Sequence, residues 1–121
     1  MQGIAMRENV IVEKSFALAV RIVKLCKYLR NTKKEYVLSK QLLRSGTSIG
    51  ANISEAQRAQ SRADFLSKLS IALKEANETQ YWLKLLLHTD YLTEKEFSSM
   101  HDDLAEVLSI LTAICKTTVP N

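Results

Sequence analysis

Apolar residues recur every three or four positions through most of the chain, the spacing that gathers them on one face of an α-helix. Interruptions of this pattern divide the chain into four predicted helices, at about 9–30, 33–59, 62–88 and 94–116. A helix of about 25 residues is about 38 Å long, and the connections between the four are short. Consecutive helices must therefore run antiparallel. The predicted fold is all-α, an antiparallel up-down-up-down four-helix bundle.

The same period predicts which residues of each helix face the core. They are Ile11, Ser15, Leu18, Ile22, Leu25 and Leu29 in the first helix; Leu38, Leu42, Ser45, Ile49, Asn52 and Ala56 in the second; Phe65, Leu69, Ala72, Ala76, Thr79, Leu83 and Leu87 in the third; and Phe97, Leu104, Leu108, Leu111 and Cys115 in the fourth.

Each junction between predicted helices carries a hydroxyl residue followed three positions later by an acidic one. In such a capping box the hydroxyl accepts from a free backbone N–H of the helix, while the acid reaches back to the cap residue. The three pairs are Thr32 with Glu35, Ser61 with Asp64, and Thr93 with Glu96.

The second helix is unusual because residues 45–52 are mostly small or polar. Each glycine costs a helix about 1 kcal/mol relative to alanine, so a loop here is the alternative. The core face continues in register across the segment, which favours an unbroken helix. Gly46 and Gly50 then lie one turn apart and let another backbone come close, while Ser45 and Asn52 point into the bundle and need hydrogen-bond partners.

The apolar surface exceeds what one bundle needs. A second apolar strip on the first helix contains Phe16 and Val23, and Trp82 lies off the core face of the third helix. Surplus apolar surface of this kind predicts contact between subunits. The residues predicted at that contact are Phe16, Val23, Gly46, Gly50 and Trp82.

Composition is typical of one globular domain: 121 residues, 46% of them hydrophobic and 25% charged. We assign residues 6–117 to the bundle, 1–5 to a flexible leader and 118–121 to a flexible tail. Three glycines and one proline are too few for a many-stranded β fold. Cys26 and Cys115 lie in apolar helical positions and read as free core thiols, and no apolar run reaches the length of a membrane span. The expected location is the cytoplasm.

Charge divides the chain in two: residues 1–62 contain 12 Lys or Arg against 4 Asp or Glu, and residues 63–121 contain 5 against 9. Rows of cations on the first two helices predict a patch that binds phosphates rather than base edges; the alternative is two ordinary solvated helix faces. The predicted nucleic-acid-binding residues are Lys14, Arg21, Lys24, Lys27, Lys40, Arg44, Arg58 and Arg62.

A search for catalytic chemistry returns mostly absences. The sequence has no Glu-x-x-His motif of a di-iron bundle and no glycine-rich phosphate loop. Glu75 and Glu78 share a face but have no histidine at that spacing, and His88 and His101 lie far apart. We therefore expect no enzyme activity, no catalytic residue, no cofactor and no metal; an undetected hydrolase or nuclease is the remaining possibility.

The run from Gln41 to Ala56, QLLRSGTSIGANISEA, resembles the signature of the small four-helix bundle family named after the 23S rRNA intervening sequence protein. Residues 71–83 resemble one branch of that family and residues 6–9 its usual start. The resemblance covers about residues 6–116. It implies a closed ring, commonly a homopentamer, and names no catalytic residue.

Members of the family are encoded within insertions in bacterial large-subunit rRNA genes, and for most the activity is unknown. A related branch, the accessory variability determinant of diversity-generating retroelements, is a basic ring that binds RNA and a reverse transcriptase. For this chain we expect a non-enzymatic homo-oligomer that binds nucleic acid, with RNA favoured. The alternative is a platform for a protein partner such as a reverse transcriptase, contacted near Tyr81 and Trp82.

Overall fold

The computed structural model describes the backbone of residues 2–118 and the side chains of residues 9–118. Within that part the chain forms four helices and no strand: α1 (Gln2–Asn31), α2 (Leu38–Ala56), α3 (Arg62–His88) and α4 (Glu94–Thr117). α1 packs against α2 and α4, and α3 packs against the same two helices from the opposite side. The predicted four-helix bundle is confirmed.

α1 begins earlier than predicted and takes in positions 2–5, which the sequence assigns to the leader. Met1 and positions 119–121 lie outside the described residues. Within that same part of the chain, no helix combines the length and apolar character needed to cross a bilayer.

The predicted core is largely correct. Ile11, Leu18, Ile22 and Leu29 of α1 are almost completely buried, and α2 and α3 bury most of their predicted core positions as well. The prediction is least accurate in α4. There the period identifies Leu104 and Leu111 but misses the buried Met100, Val107 and Ile114 on the same face.

α2 is unbroken from Leu38 to Ala56, so the loop alternative at residues 45–52 is wrong. Ser45 is buried as predicted, and its hydroxyl oxygen lies 3.0 Å from Thr79 Oγ1 of α3. Asn52 is different: it is half-buried, and its amide donates to the Ser48 carbonyl of its own helix at 2.8 Å. It therefore does not point into the bundle as predicted.

Two of the three predicted caps are present. Thr93 and Glu96 form the full reciprocal capping box of α4. Ser61 Oγ accepts from the Asp64 N–H at 3.0 Å, but the Asp64 carboxylate accepts from the N–H of Gln60 rather than that of Ser61.

The predicted cap at Thr32 is wrong, because α2 begins at Leu38 and Glu35 itself closes the helix start. The Glu35 carboxylate accepts from the backbone N–H groups of Val37, Leu38 and Ser39 at 2.7–3.1 Å. Burial alone would raise the pKa of Glu35, but these three donors outweigh it and hold that pKa below its usual value. The side chain is 6% exposed.

Candidate nucleic-acid interface and subunit contact

Three of the predicted phosphate-binding cations are instead paired with carboxylates of α3 and α4. Lys14 Nζ lies 2.7 Å from Glu106, a hydrogen bond and charge pair that raises the pKa of Lys14. Arg21 Nη1 lies 2.5 Å from Asp103 Oδ2, and the same guanidinium donates to both oxygens of Ser99.

Arg44 lies on the flank of α2 that faces α3. Its guanidinium pairs with Glu75 at 3.1 Å and with Glu78. The Glu78 carboxylate also accepts from Trp82 Nε1 at 3.0 Å, so the two acids, Arg44 and Trp82 form one polar network across the two helices. Arg44 is therefore exposed but engaged by two acids of α3, and its part in nucleic-acid binding stays a prediction.

Six of the predicted cations are exposed: Arg44, Arg62 and a group of four, Lys24, Lys27, Lys40 and Arg58. Among the described side chains, none of these four forms an ion pair. Lys24 and Lys27 lie near the end of α1 and Lys40 near the start of α2, so all three are at one end of the bundle.

Arg58 and Arg62 do not extend a row on α2, because that helix ends at Ala56. Arg58 follows in a turn tightened by its N–H bond to the Glu55 carbonyl at 3.0 Å, and Arg62 is the first residue of α3. Both lie at the end of the bundle opposite Lys40, about 25 Å away at the rise of an α-helix.

Sequence analysis missed three cations of the same basic end: Arg30, Lys33 and Lys34, all exposed. Their signal was available, because residues 24–40 contain six cations and one acid, Glu35. A search for rows of cations along helix faces does not find them, because Lys33 and Lys34 lie between α1 and α2. We call residues 32–37 the α1–α2 turn.

An apolar groove runs along the outside of α1 and α2, with a volume of about 610 Å³. Phe16, Val12 and Ala19 line it from α1, and Gly50 and Ala51 from α2. Phe16 is 70% exposed and also lines a second recess, which adjoins the groove and is formed by Val20 and Val23 together with Lys24 and Lys27. The groove and the second recess together thus contain three of the five residues predicted at a subunit contact: Phe16, Gly50 and Val23.

The two glycines of α2 differ in role. A Cβ on Gly46 would lie 2.8 Å from Ile22 Cγ2, so this buried glycine permits close packing of α1 on α2 within one chain. We therefore remove it from the predicted subunit contact. A Cβ on Gly50 would lie 3.3 Å from the Ser15 carbonyl oxygen, and Gly50 also forms part of the groove floor.

Cys26 and His101 are each held by contacts within the chain. Burial raises the pKa of the Cys26 thiol to about 11, and its sulfur donates to the Ser39 carbonyl. His101 stacks on Phe97 and contacts the Gln80 amide at 2.8 Å. No group of three or more His, Cys, Asp or Glu in the described part of the chain is arranged to hold a metal ion.

These features define a small all-α bundle with an apolar groove on one side and a basic end. The chain belongs to the family described as 23S rRNA-intervening sequence protein, whose profile matches residues 7–113. The family resemblance carried by residues 41–56 is thereby confirmed, and the link to accessory variability determinants stays a prediction.

A solved structure is similar to the chain over most of its length. It is the crystal structure of a protein with unknown function from the S23 ribosomal protein family of Bacteroides thetaiotaomicron, with 58% sequence identity and a TM-score of 0.91. The match covers 92% of this chain and 99% of the other. A search of curated proteins gives no match.

Proposed function

We propose that the protein is a non-enzymatic homo-oligomer that binds nucleic acid, with RNA favoured, through exposed cations of its α1–α2 half. The observation that carries the proposal is the exposure of Lys24, Lys27 and Lys40 together at one end of the bundle. Clustered cations release the counterions of a phosphate backbone and so attract nucleic acid. The family's name refers to 23S rRNA, which supports RNA as the polyanion.

Ion pairing elsewhere in the fold narrows this interface. Lys14, Arg21 and Arg44 already neutralise carboxylates of α3 or α4, so a phosphate would have to displace a protein partner to reach them. Lys24, Lys27 and Lys40 form no such pair among the described side chains and would exchange only water and counterions.

The test is binding of a labelled RNA measured by fluorescence anisotropy across a salt series. We expect affinity to fall steeply with salt, and Lys40→Glu to weaken binding about tenfold and to lower the salt slope by about one. Lys74→Glu is the matched control, because Lys74 is also exposed but lies on α3. A salt-independent affinity, or equal losses in the two variants, would contradict the proposal.

The apolar groove supports the homo-oligomer, and we propose a second copy of this chain as its occupant. Phe16 and Val23 are part of an apolar face continuous across two recesses, and single exposed apolar residues are common while contiguous faces are not. The family resemblance implies a ring of five.

Light scattering tests this assembly. We expect the wild type to have a mass of several times 13.7 kDa, the mass of one chain. Phe16→Asp should have a lower mass, because a buried unpaired charge at the contact is costly. Tyr81→Asp is the control, since Tyr81 is a 58% exposed aromatic residue outside the groove. A strictly monomeric wild type would exclude the assembly.

The alternative function, a platform for a protein partner, is favoured by that same exposed Tyr81 on the outer face of α3. Trp82 beside it is half-buried and held by Glu78. A partner whose binding survives nuclease digestion and is lost with Tyr81→Asp would support the platform instead.

A further inference from the structure

We infer that the α1–α2 turn, together with the last turn of α1, binds single-stranded nucleic acid, with Tyr28 and Tyr36 stacking on unpaired bases while Arg30, Lys33 and Lys34 hold phosphates. The inference rests on the proposed function. It adds a location, a strand type and the residues that recognise the bases.

The backbone of the turn is held firmly by its own hydrogen bonds. The N–H of Glu35 donates to the Leu29 carbonyl at 2.9 Å, and the N–H of Thr32 donates to the Tyr28 carbonyl at 2.9 Å. The Glu35 carboxylate then anchors the start of α2 through three further bonds. Side chains on this turn are therefore presented from a fixed frame, which lowers the entropy cost of binding.

The two tyrosines of the α1–α2 turn and of the last turn of α1 do little for the core. Tyr36 is 51% exposed, Tyr28 is 37% exposed, and Val37 beside them is 72% exposed. Folding does not require a large apolar side chain at such positions, whereas recognition does: loops on a rigid scaffold commonly carry the binding residues.

Each tyrosine is already paired with a cation. The Arg30 guanidinium lies 5.4 Å from the centroid of the Tyr36 ring, and Lys33 Nζ lies 5.9 Å from that of Tyr28. The pairing places positive charge over one face of each ring, while Tyr36 stays 51% exposed and Tyr28 37% exposed. A base stacked on the ring would therefore have its phosphate close to a cation, the combination that single-strand-binding surfaces use.

No free carboxylate within residues 24–40 competes with a phosphate for these cations. Glu35 is the one acid among residues 24–40, and its carboxylate is engaged by three backbone N–H groups. Lys24, Lys27 and Lys40 extend the positive surface on both sides.

The tyrosines are the reason to expect single-stranded rather than duplex nucleic acid at this site. Bases in a duplex are stacked on each other, so a side chain stacks only on bases that are unpaired. Cations alone would treat duplex and single strand similarly, because both present phosphates. The aromatic residues therefore favour single strands, and an acidic peptide, which lacks bases, would use the cations alone.

The experiment compares full-length wild type with Tyr36→Ala, Tyr36→Phe and Tyr81→Ala. For each protein, the affinity is measured at several salt concentrations for three labelled ligands. They are an unstructured RNA of about 15 nucleotides, the DNA of the same sequence, and the blunt RNA duplex. Thermal melting verifies that the exposed-site variants fold.

We expect Tyr36→Ala to weaken single-strand binding about 5- to 50-fold with the salt slope unchanged, because a base contact and no phosphate contact is lost. Tyr36→Phe and Tyr81→Ala should bind like wild type, and duplex affinity should be unchanged in all variants. Equal RNA and DNA affinity would place recognition on base and phosphate rather than on the ribose hydroxyl.

The outcomes separate this inference from the proposed function. If Lys40→Glu weakens binding but Tyr36→Ala does not, or if Tyr36→Ala weakens duplex binding equally, the stacking site is wrong and the basic interface stands. If a poly-glutamate peptide displaces the RNA from wild type and from Tyr36→Ala alike, the turn is an acidic-peptide site. If wild type binds no nucleic acid, both proposals fail.

Discussion

The two turns at one end of the bundle, α1–α2 and α3–α4, close their helices with similar backbone bonds. In each, a non-glycine residue adopts a positive φ, 58° at Lys34 and 68° at Asp90. In each, the next N–H returns to the last turn of the preceding helix: Glu35 to Leu29 and Tyr91 to Leu86, both at 2.9 Å. A left-handed residue followed by such a bond is a common helix ending.

The side chains of the two turns differ completely. The α3–α4 turn, residues 89–93, sends its apolar residues inward, with Leu92 only 4% exposed and Tyr91 half-buried, and its one charged residue, Asp90, is acidic. The α1–α2 turn leaves Tyr36 and Val37 in solvent between cations. Because the same closure works with apolar residues turned inward, the exposed residues of the α1–α2 turn are not needed to close it. That difference is what points to binding at this turn.

The largest expected difference between the two turns is in the free energy of unfolding lost when the acid that caps the following helix is removed, Glu35 for α2 and Glu96 for α4. Glu35→Ala removes a buried acceptor of three N–H groups and should lower the free energy of unfolding by about 2–3 kcal/mol. Glu96→Ala removes one bond of a more exposed capping box and should cost about 0.5–1 kcal/mol. Urea unfolding at a fixed protomer concentration measures both, since self-association shifts apparent stability.

Equal losses in these two variants would show that Glu35 is no more important to its turn than Glu96 is to the other. Glu35→Gln is the informative intermediate, because an amide keeps one acceptor oxygen but loses the charge. We expect its stability between those of wild type and Glu35→Ala.

The role of Glu35 also shows where sequence reasoning was sufficient and where it was not. Helix number, order and most core positions follow from the 3.6-residue period, a local property of the chain. Glu35 was recognised as a capping acid but assigned to the wrong helix start, because the Thr-x-x-Glu pattern does not reveal whether residues 33–37 are already helical. α2 and its core-facing positions begin only at Leu38.

The candidate site was less predictable because it depends on how helices face each other. Pairing of Arg44 with Glu75 and Glu78 requires the register of α2 against α3, because Arg44 and Glu75 are 31 positions apart in the sequence. Likewise, Gly46 and Phe16 are on apolar or small faces in sequence, and only packing shows that one contacts Ile22 of the same chain while the other stays in solvent.

A smaller effect should appear as a pH dependence specific to the α1–α2 turn. The pKa of Glu35 is lower in the folded chain than its ordinary value of about 4.3 in an unfolded one. Its stabilisation is therefore complete above that ordinary value and is lost as pH falls through the lower folded pKa. One titrating group contributes a slope of at most about 1.4 kcal/mol per pH unit.

Other carboxylates titrate in the same acid range, so the measurement is the difference between wild type and Glu35→Gln. We expect that difference in unfolding free energy to be constant from neutrality down to about pH 5 and to shrink below it. A difference that is independent of pH would mean that the charge of Glu35 is not what its three donors recognise.

The smallest effect concerns the left-handed residue of each turn. A lysine at φ 58° is strained by its Cβ, whereas aspartate tolerates this region better and glycine has no Cβ at all. Lys34→Gly should therefore raise the free energy of unfolding by about 0.5 kcal/mol, after the greater freedom of glycine in the unfolded chain offsets part of the relief. Asp90→Gly should change stability by about zero, measured by the same urea unfolding. If Lys34→Gly destabilises while Asp90→Gly does not, the Lys34 side chain itself stabilises the α1–α2 turn, and the two turns would then differ in how they are closed as well as in the side chains they present.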